Sequence, residues 1–363
     1  MARHLHLQSL MIRSFGVEIE YFITDREGAA PDAILLWNFR SALIGLGFAQ
    51  NPDKSNDEPM DLIWATESLS ARLHHDFYSH LIELSFAPTR NVKAFQNCYD
   101  GALDALRGAA FAVGLTVHDS AVLSSPPADA RFLFQQNKVL FERYKWLESR
   151  EMSGRPYARR FYYAHAAATH VHVESDVVRD YKMLPYMYEM EYMIPWAFTN
   201  SQVCWTEPKA IRPLWMQDSY SDTYWAAGFP APWPPTFEDY VARLRASGAV
   251  RDYSFIAPRP ELGTIEFRTA DSLPTSRDVL SLVLFRLIAL EIAEGRLDQQ
   301  AHLENIREVR EHFRAVCISG RPSSEKVRLD VEIVLERTKL ARSKWNGIAS
   351  QLEERLMRSL GDL

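Results

Sequence analysis

Four short segments carry reactive side chains in alternation with apolar ones. In GVEIEYFI, Glu18 and Glu20 alternate with Val17, Ile19 and Tyr21. LIELSFAP sets Glu83 and Ser85 against Ile82, Leu84 and Phe86, and THVHVE sets His170 and His172 against Val171 and Val173. TIEFRT sets Glu266 and Arg268 against Ile265 and Phe267. Residues two apart on a strand share a face, so each segment is predicted to show ionisable groups on one side and apolar groups on the other. One such strand is ordinary in an antiparallel sheet with a wet face. Four together are not, because a wet face would mix Lys, Thr, Ser and Gln, whereas these faces carry Glu, His and Arg. Crowded carboxylates repel one another unless cations sit among them. Oxygen donors with one or two imidazoles suit a hard divalent ion, Mg2+ or Mn2+, better than zinc. Arg268 adds a planar fork suited to phosphate. Metal binding and phosphate binding together imply ATP.

No other nucleotide site is visible. The chain has no GxxxxGK[ST] loop, no GxGxxG turn and no GxSxG elbow. His74, His75 and His80 lie on the approach to Glu83, where a surface or satisfied-core role is the simpler reading. His165, just before the THVH strand, is a weak candidate for substrate contact. The aromatic run from Tyr181 to Trp196 has helical spacing and reads as core.

The elements that must position these groups follow from periodicity. Strands are predicted at Phe15 to Thr24, Leu81 to Pro88, Thr116 to Leu123, Thr169 to Glu174 and Thr264 to Thr269. Helices are predicted at Leu36 to Gly47, Asn91 to Gly114, Arg131 to Arg150 and Val177 to Asn200. More follow at Thr236 to Ala246, Thr275 to Gly295, Ala301 to Ser319 and Ser324 to Leu360, the last with a break. Gly114 and Gly295 stand where helix C-termini should fall. Strands scattered among helices without a βαβ rhythm indicate an α+β fold.

Composition narrows the function classes. The chain has 363 residues, 47% of them apolar and 24% charged, which excludes a disordered or collagen-like protein. Length alone suggests about two domains' worth of chain. The net charge of −6 argues against nucleic-acid binding. Cys98, Cys204 and Cys317 are far apart and form no CxxC pair, so a zinc ribbon or disulfide framework is not expected. The most apolar stretch, Val279 to Ala293, contains Arg286 and Glu291 and is too short to cross a membrane. The acid-free N-terminus runs directly into the strand at Phe15, leaving little room for a removable leader, and a cytoplasmic location is expected.

At these motifs the sequence resembles glutamate–cysteine ligase family 2, the carboxylate–amine ligases of the glutamine synthetase-like superfamily. The carrying segments are GVEIE at Gly16 to Glu20, ELSFAP at Glu83 to Pro88, THVHV at Thr169 to Val173 and RPELGTIEFR at Arg259 to Arg268. Ala168 stands where the family pattern has Gly. TNSQVCW, DSYSD and FEDYVARL fit the weaker connecting features, and the motifs fall in the family's order over roughly residues 15 to 320. The resemblance implies an α+β fold whose curved antiparallel sheet lines the active site, with helices packed outside. It implies ATP and Mg2+ (or Mn2+) as cofactors and a carboxylate activated as an acyl phosphate for attack by an amine. Carried over by position, Glu18, Glu20, Glu83, His170 and Glu266 would ligate metal, Arg268 would contact the transferred phosphoryl group, and His172 would orient substrate or a ligand.

The expected partners are therefore a small glutamate-like carboxylate and an amine, with no nucleic acid and no membrane, and homo-oligomerisation left open. The chain reads as one catalytic domain over residues 1–363. It carries an irregular Trp- and Pro-rich insertion at 207–235 and a charged helical tail at 321–363. Those two regions depart from the family pattern and are expected to shape the amine pocket. Three other readings compete: a phosphotransferase of the same superfamily, a non-catalytic binding relative, and a metal-dependent amidase. Retention of every carboxylate in the pattern weighs against the non-catalytic one.

Overall fold

The computed structural model describes residues 13–52, 60–76, 79–123, 166–199, 212–213, 227–229, 233–247, 252–297, 306–319 and 324–361. The chain divides into two compact units. One comprises Gly16–Thr169 and Ser272–Ser276, the other Met1–Phe15, His170–Asp271 and Arg277–Leu363. The architecture is mixed α and β.

The first unit holds β1 (Phe15–Thr24), α1 (Ala33–Gly45), β2 (Ala49–Gln50), β3 (Leu62–Ala65), β4 (Ser70–His75), β5 (Leu81–Thr89), α2 (Val92–Val113) and β6 (Thr116–His118). Its strands run in the order β1-β5-β4-β3-β2, with β6 beside β1. Asp32 and Asn91 cap α1 and α2 by accepting the backbone N–H of Leu35 and Ala94. Gly114 ends α2 in the left-handed conformation at φ 80°, as its position in the sequence predicts. The inner face of α2 buries Phe95, Tyr99, Leu103 and Leu106, each stabilising the fold by roughly 1.5–3 kcal/mol. The Tyr99 hydroxyl pairs with that of Tyr21 at 2.8 Å, which ties the apolar side of β1 to the helix.

The second unit holds β7 (Thr169–Glu174), α3 (Val177–Asp180), α4 (Leu184–Glu189), α5 (Met193–Ala197), β8 (Ala227–Gly228), α6 (Phe237–Ala246), β9 (Tyr253–Ser254), β10 (Ile256–Arg259), β11 (Thr264–Phe267), α7 (Ser276–Gly295), α8 (Ile306–Ser319) and α9 (Ser324–Gly361). Strand β11 lies between β10 and β7. The hairpin from β10 to β11 turns through Gly263 at φ +62°, a conformation glycine adopts without steric cost. That turn sets the register that pairs Ala257 with Glu266.

Most predicted elements are present, with differences that have local causes. The helix expected over Val177 to Asn200 is four short pieces, including a 3₁₀ turn at Tyr181–Met183. Pro185 starts one piece and Pro195 lies in another, and proline cannot donate the helical hydrogen bond. The expected core role of its aromatic residues holds: Tyr181, Tyr188, Tyr192 and Trp196 are buried. Strand β6 ends at His118 rather than Leu123. Helix α9 is broken at Trp345, where φ is −120°. Strands β2, β3, β4, β8, β9 and β10 are not anticipated by the sequence pattern. Cys98 and Cys317 are buried and take part in no disulfide among the described residues. The expected helix at Arg131 to Arg150, the N-terminal segment before residue 13, His165, Cys204 and most of 207–235 lie outside the described residues. Trp233, from the end of that last segment, stacks on Tyr181 with ring centroids 5.5 Å apart. No described helix is long and apolar enough to cross a membrane.

Candidate active site

The polar faces of the four motif strands are largely withdrawn from water. Glu20 and Glu83 are each 8% exposed, His170 is 5% exposed and Glu266 is fully buried. The opposite faces are buried too, through Ile19, Tyr21, Leu84, Val171, Val173, Ile265 and Phe267. Each strand is therefore enclosed on both sides, one side apolar and the other ionisable. Burying that much charge is costly unless it is paired, hydrogen-bonded or used to bind a ligand.

In the first unit, Glu18 and Glu20 share a face of β1, and Glu18 is half-buried. Glu20 Oε2 accepts the backbone N–H of Ala168 at 2.7 Å, and the Glu20 N–H donates to Ala168 O at 2.9 Å. The Ser272 hydroxyl donates to the Glu20 carbonyl. Glu83, on β5, lies directly across from His74 on β4. His74 Nε2 is 3.0 Å from Glu83 Oε1, and the Ser85 hydroxyl donates to the same oxygen at 2.6 Å. Burial and the Glu18 carboxylate push the Glu83 carboxyl up, but His74 and Ser85 prevail and hold it below its ordinary value. Burial works against protonation of His74, yet the Glu83 carboxylate raises it to about 9.

In the second unit, Glu266 is the hub. Register places it opposite His172 on β7, and ligand atoms of the two lie within 4.8 Å of each other. His170 Nδ1 is 3.8 Å from Glu266 Oε1. Arg268 Nη1 donates to Glu266 Oε1 at 2.6 Å, and Arg259 Nε donates to Glu266 Oε2. Burial disfavours the charged Arg259, but Glu266 reverses this and holds the guanidinium pKa above its ordinary value. His172 Nδ1 is 3.2 Å from the Thr264 hydroxyl.

The structure thus gathers His170, His172, Glu266 and Arg268 in one unit and Glu18, Glu20 and Glu83 in the other. It adds two residues to which sequence reasoning gives no role at the site: His74, which reads as a surface or satisfied-core residue, and Arg259, the first residue of the RPELGTIEFR motif. His74 shares its face of β4 with Arg72, opposite Ala71 and Leu73, a signal visible once β4 is recognised. Arg259 lies two residues from Ala257, which pairs with Glu266, so it is a diagonal neighbour on the same face. Carboxylates and imidazoles with a buried arginine fork fit the divalent cation and phosphate donor set inferred above.

No protein-family model matches the sequence, and no curated protein matches it. Solved structures do share its fold. A bifunctional glutathione synthetase from Pasteurella multocida is similar over 99% of this chain at 14% identity, with a TM-score of 0.62. This chain spans only 49% of that protein's length. A glutamate–cysteine ligase from Francisella tularensis, solved in complex with AMP, is similar over 95% of this chain and 82% of its own, at 15% identity and a TM-score of 0.57. The chain shares its fold with these two solved structures.

Proposed function

We propose that the protein is an ATP-dependent C–N ligase that joins a glutamate-like carboxylate to an amine. One observation carries the reading: strand faces that hold Glu20, Glu83, His170, His172, Glu266 and Arg268 buried on the side opposite the apolar core residues. The ligase fold supports it. In this reading an oxygen of the substrate carboxylate attacks the γ-phosphorus of ATP. The bond to the leaving ADP oxygen breaks and an acyl phosphate forms. The amine nitrogen then attacks the carbonyl carbon, expels phosphate, loses a proton and leaves an amide, γ-glutamyl if the acid is glutamate.

Glu18, Glu20, Glu83, His170 and Glu266 would hold Mg2+ or Mn2+, which when bound neutralises phosphate oxygens. Arg268 would meet the transferring phosphoryl group with its fork, and Arg259 would hold the Glu266 side chain in place beside it. His172, steadied by Thr264, would orient substrate. A cytoplasmic setting and small-molecule partners belong to the same reading. Catalysis would then rest on positioning and charge stabilisation.

The test is ADP release with Mg2+ across a panel of carboxylates and amines, with products identified by mass spectrometry. An amide formed only when ATP, acid and amine are all present is expected. A stable phosphorylated product would favour the phosphotransferase, and hydrolysis without ATP the amidase. Glu20→Gln keeps an acceptor for the Ala168 N–H, so it should abolish ADP formation while the melting temperature holds. Full activity in that variant would remove Glu20 from the metal set.

A further inference from the structure

Arg286 sits inside the most apolar stretch of the chain and is only 2% exposed. It does not contact the ionisable face of β11. Its Nη1 and Nη2 donate to both oxygens of the fully buried Glu191, at 2.6 and 2.8 Å, and its guanidinium carbon lies 4.6 Å from the ring centroid of Phe267. Phe267 points away from Glu266 and Arg268 by strand alternation, so the pair grips β11 from behind. Glu191 also accepts the hydroxyl of buried Thr269. A second buried guanidinium, that of Arg212, donates from Nη1 to the Thr269 carbonyl and from Nη2 to the Arg268 carbonyl, each at 2.9 Å. The Arg268 N–H donates to Phe255 O at 2.8 Å. Side chain or backbone of three successive residues, Phe267 to Thr269, is thereby held by charged groups where β11 ends.

Well-packed apolar residues often replace a buried ion pair at no loss of stability, so stability alone explains this arrangement poorly. We infer that Glu191, Arg286 and Arg212 are positioning residues that fix the backbone of Arg268 and thereby aim its side chain. The inference rests on the ligase reading, in which Arg268 contacts the transferring phosphoryl group. The network's contacts reach the back of β11 and the main chain at its end, which places Arg268 between the network and the ionisable face. Among its links, Thr269→Val removes one hydroxyl at near-constant shape, and Arg212→Met removes the fork on the two carbonyls.

The experiment compares the wild-type chain with these two variants, each alone and combined with Arg268→Lys. It follows ADP release with Mg2+, glutamate and the amine panel, alongside thermal melts and amide hydrogen exchange across 266–270. Each single variant should lower kcat by about tenfold to a hundredfold, the cost of a small misplacement, with a smaller change in the KM for ATP. Exchange at Arg268 and Thr269 should quicken, and Arg212→Lys should recover part of the loss. In the Arg268→Lys background the same substitutions should cost little more, because coupled residues are non-additive. Full additivity, or unchanged kcat with only a lowered melting temperature, overturns the positioning role. Unchanged hydrogen exchange overturns it without reference to activity. Absence of ADP release from the wild-type chain with every pair overturns the ligase reading, and this inference with it.

Discussion

In the unit built on β1 and β5, acid faces acid: Glu83 feels Glu18 as a like charge and is held ionised by His74 and Ser85. In the unit built on β7 and β11, Glu266 sits between Arg259 and Arg268. The two regions accommodate buried carboxylates by opposite means. Clustered acids draw a cation, whereas a carboxylate flanked by two guanidinium groups leaves positive charge for an anionic oxygen. The contrast also predicts opposite responses to neutralisation, because removing a charge relieves repulsion in the first region and strands guanidinium groups in the second.

The largest effect is expected where the stranding is worst. Glu266→Ala leaves Arg259 and Arg268 buried without that carboxylate and should destabilise the protein by about 3–5 kcal/mol in denaturant titrations. A loss no greater than that of an ordinary surface substitution would erase the contrast. Next comes Arg268→Lys, which keeps the charge but loses the two-pronged grip. It should lower kcat roughly tenfold to a thousandfold, more than it raises the KM for ATP. Near-normal turnover would leave Arg268 as a partner of Glu266 only.

Glu18→Gln probes the first region and should have a smaller effect on the fold. It removes the like charge facing Glu83, so metal-free stability should hold or rise by up to about 1 kcal/mol. Added Mn2+ should raise the melting temperature of the wild type more than that of the variant. A clear destabilisation without metal would mean that Glu18 is held by attraction rather than repulsion.

The smallest effect concerns Asp180, a second acid of the arginine-paired kind. Burial pushes its carboxyl up, but hydrogen bonds from Arg179, Ser175 and Arg13 more than offset this and hold it below its ordinary value. A depressed folded-state value means that the folded state binds fewer protons. The resulting stability is present above the ordinary carboxylate pKa of 3.8 and is lost as pH falls through the folded value. Asp180→Asn should therefore flatten the acid limb of the stability curve below about pH 4 and leave its slope near neutrality unchanged. An unaltered acid limb would show that Asp180 gains nothing from its partners.

Much of the candidate site is legible in one dimension because the strand period is two. That period is local, so Glu18 with Glu20, His170 with His172, and Glu266 with Arg268 share faces whatever the rest of the chain does. Helix ends at Asn91 and Gly114 are legible for the same reason, since caps are set by neighbouring residues. The prolines that divide 177–200 are equally local, although helical spacing by itself predicts one continuous helix there. Tertiary structure alone decided which charge meets which. His74 reaches Glu83 through the pairing of β4 with β5, and Arg259 reaches Glu266 through a hairpin register. Arg286 finds Glu191 across 95 residues of chain, on the opposite side of the strand from the groups it is inferred to position. Periodicity says which way a side chain points but not what stands opposite, because cross-strand and helix–sheet partners are chosen by burial over long sequence distances.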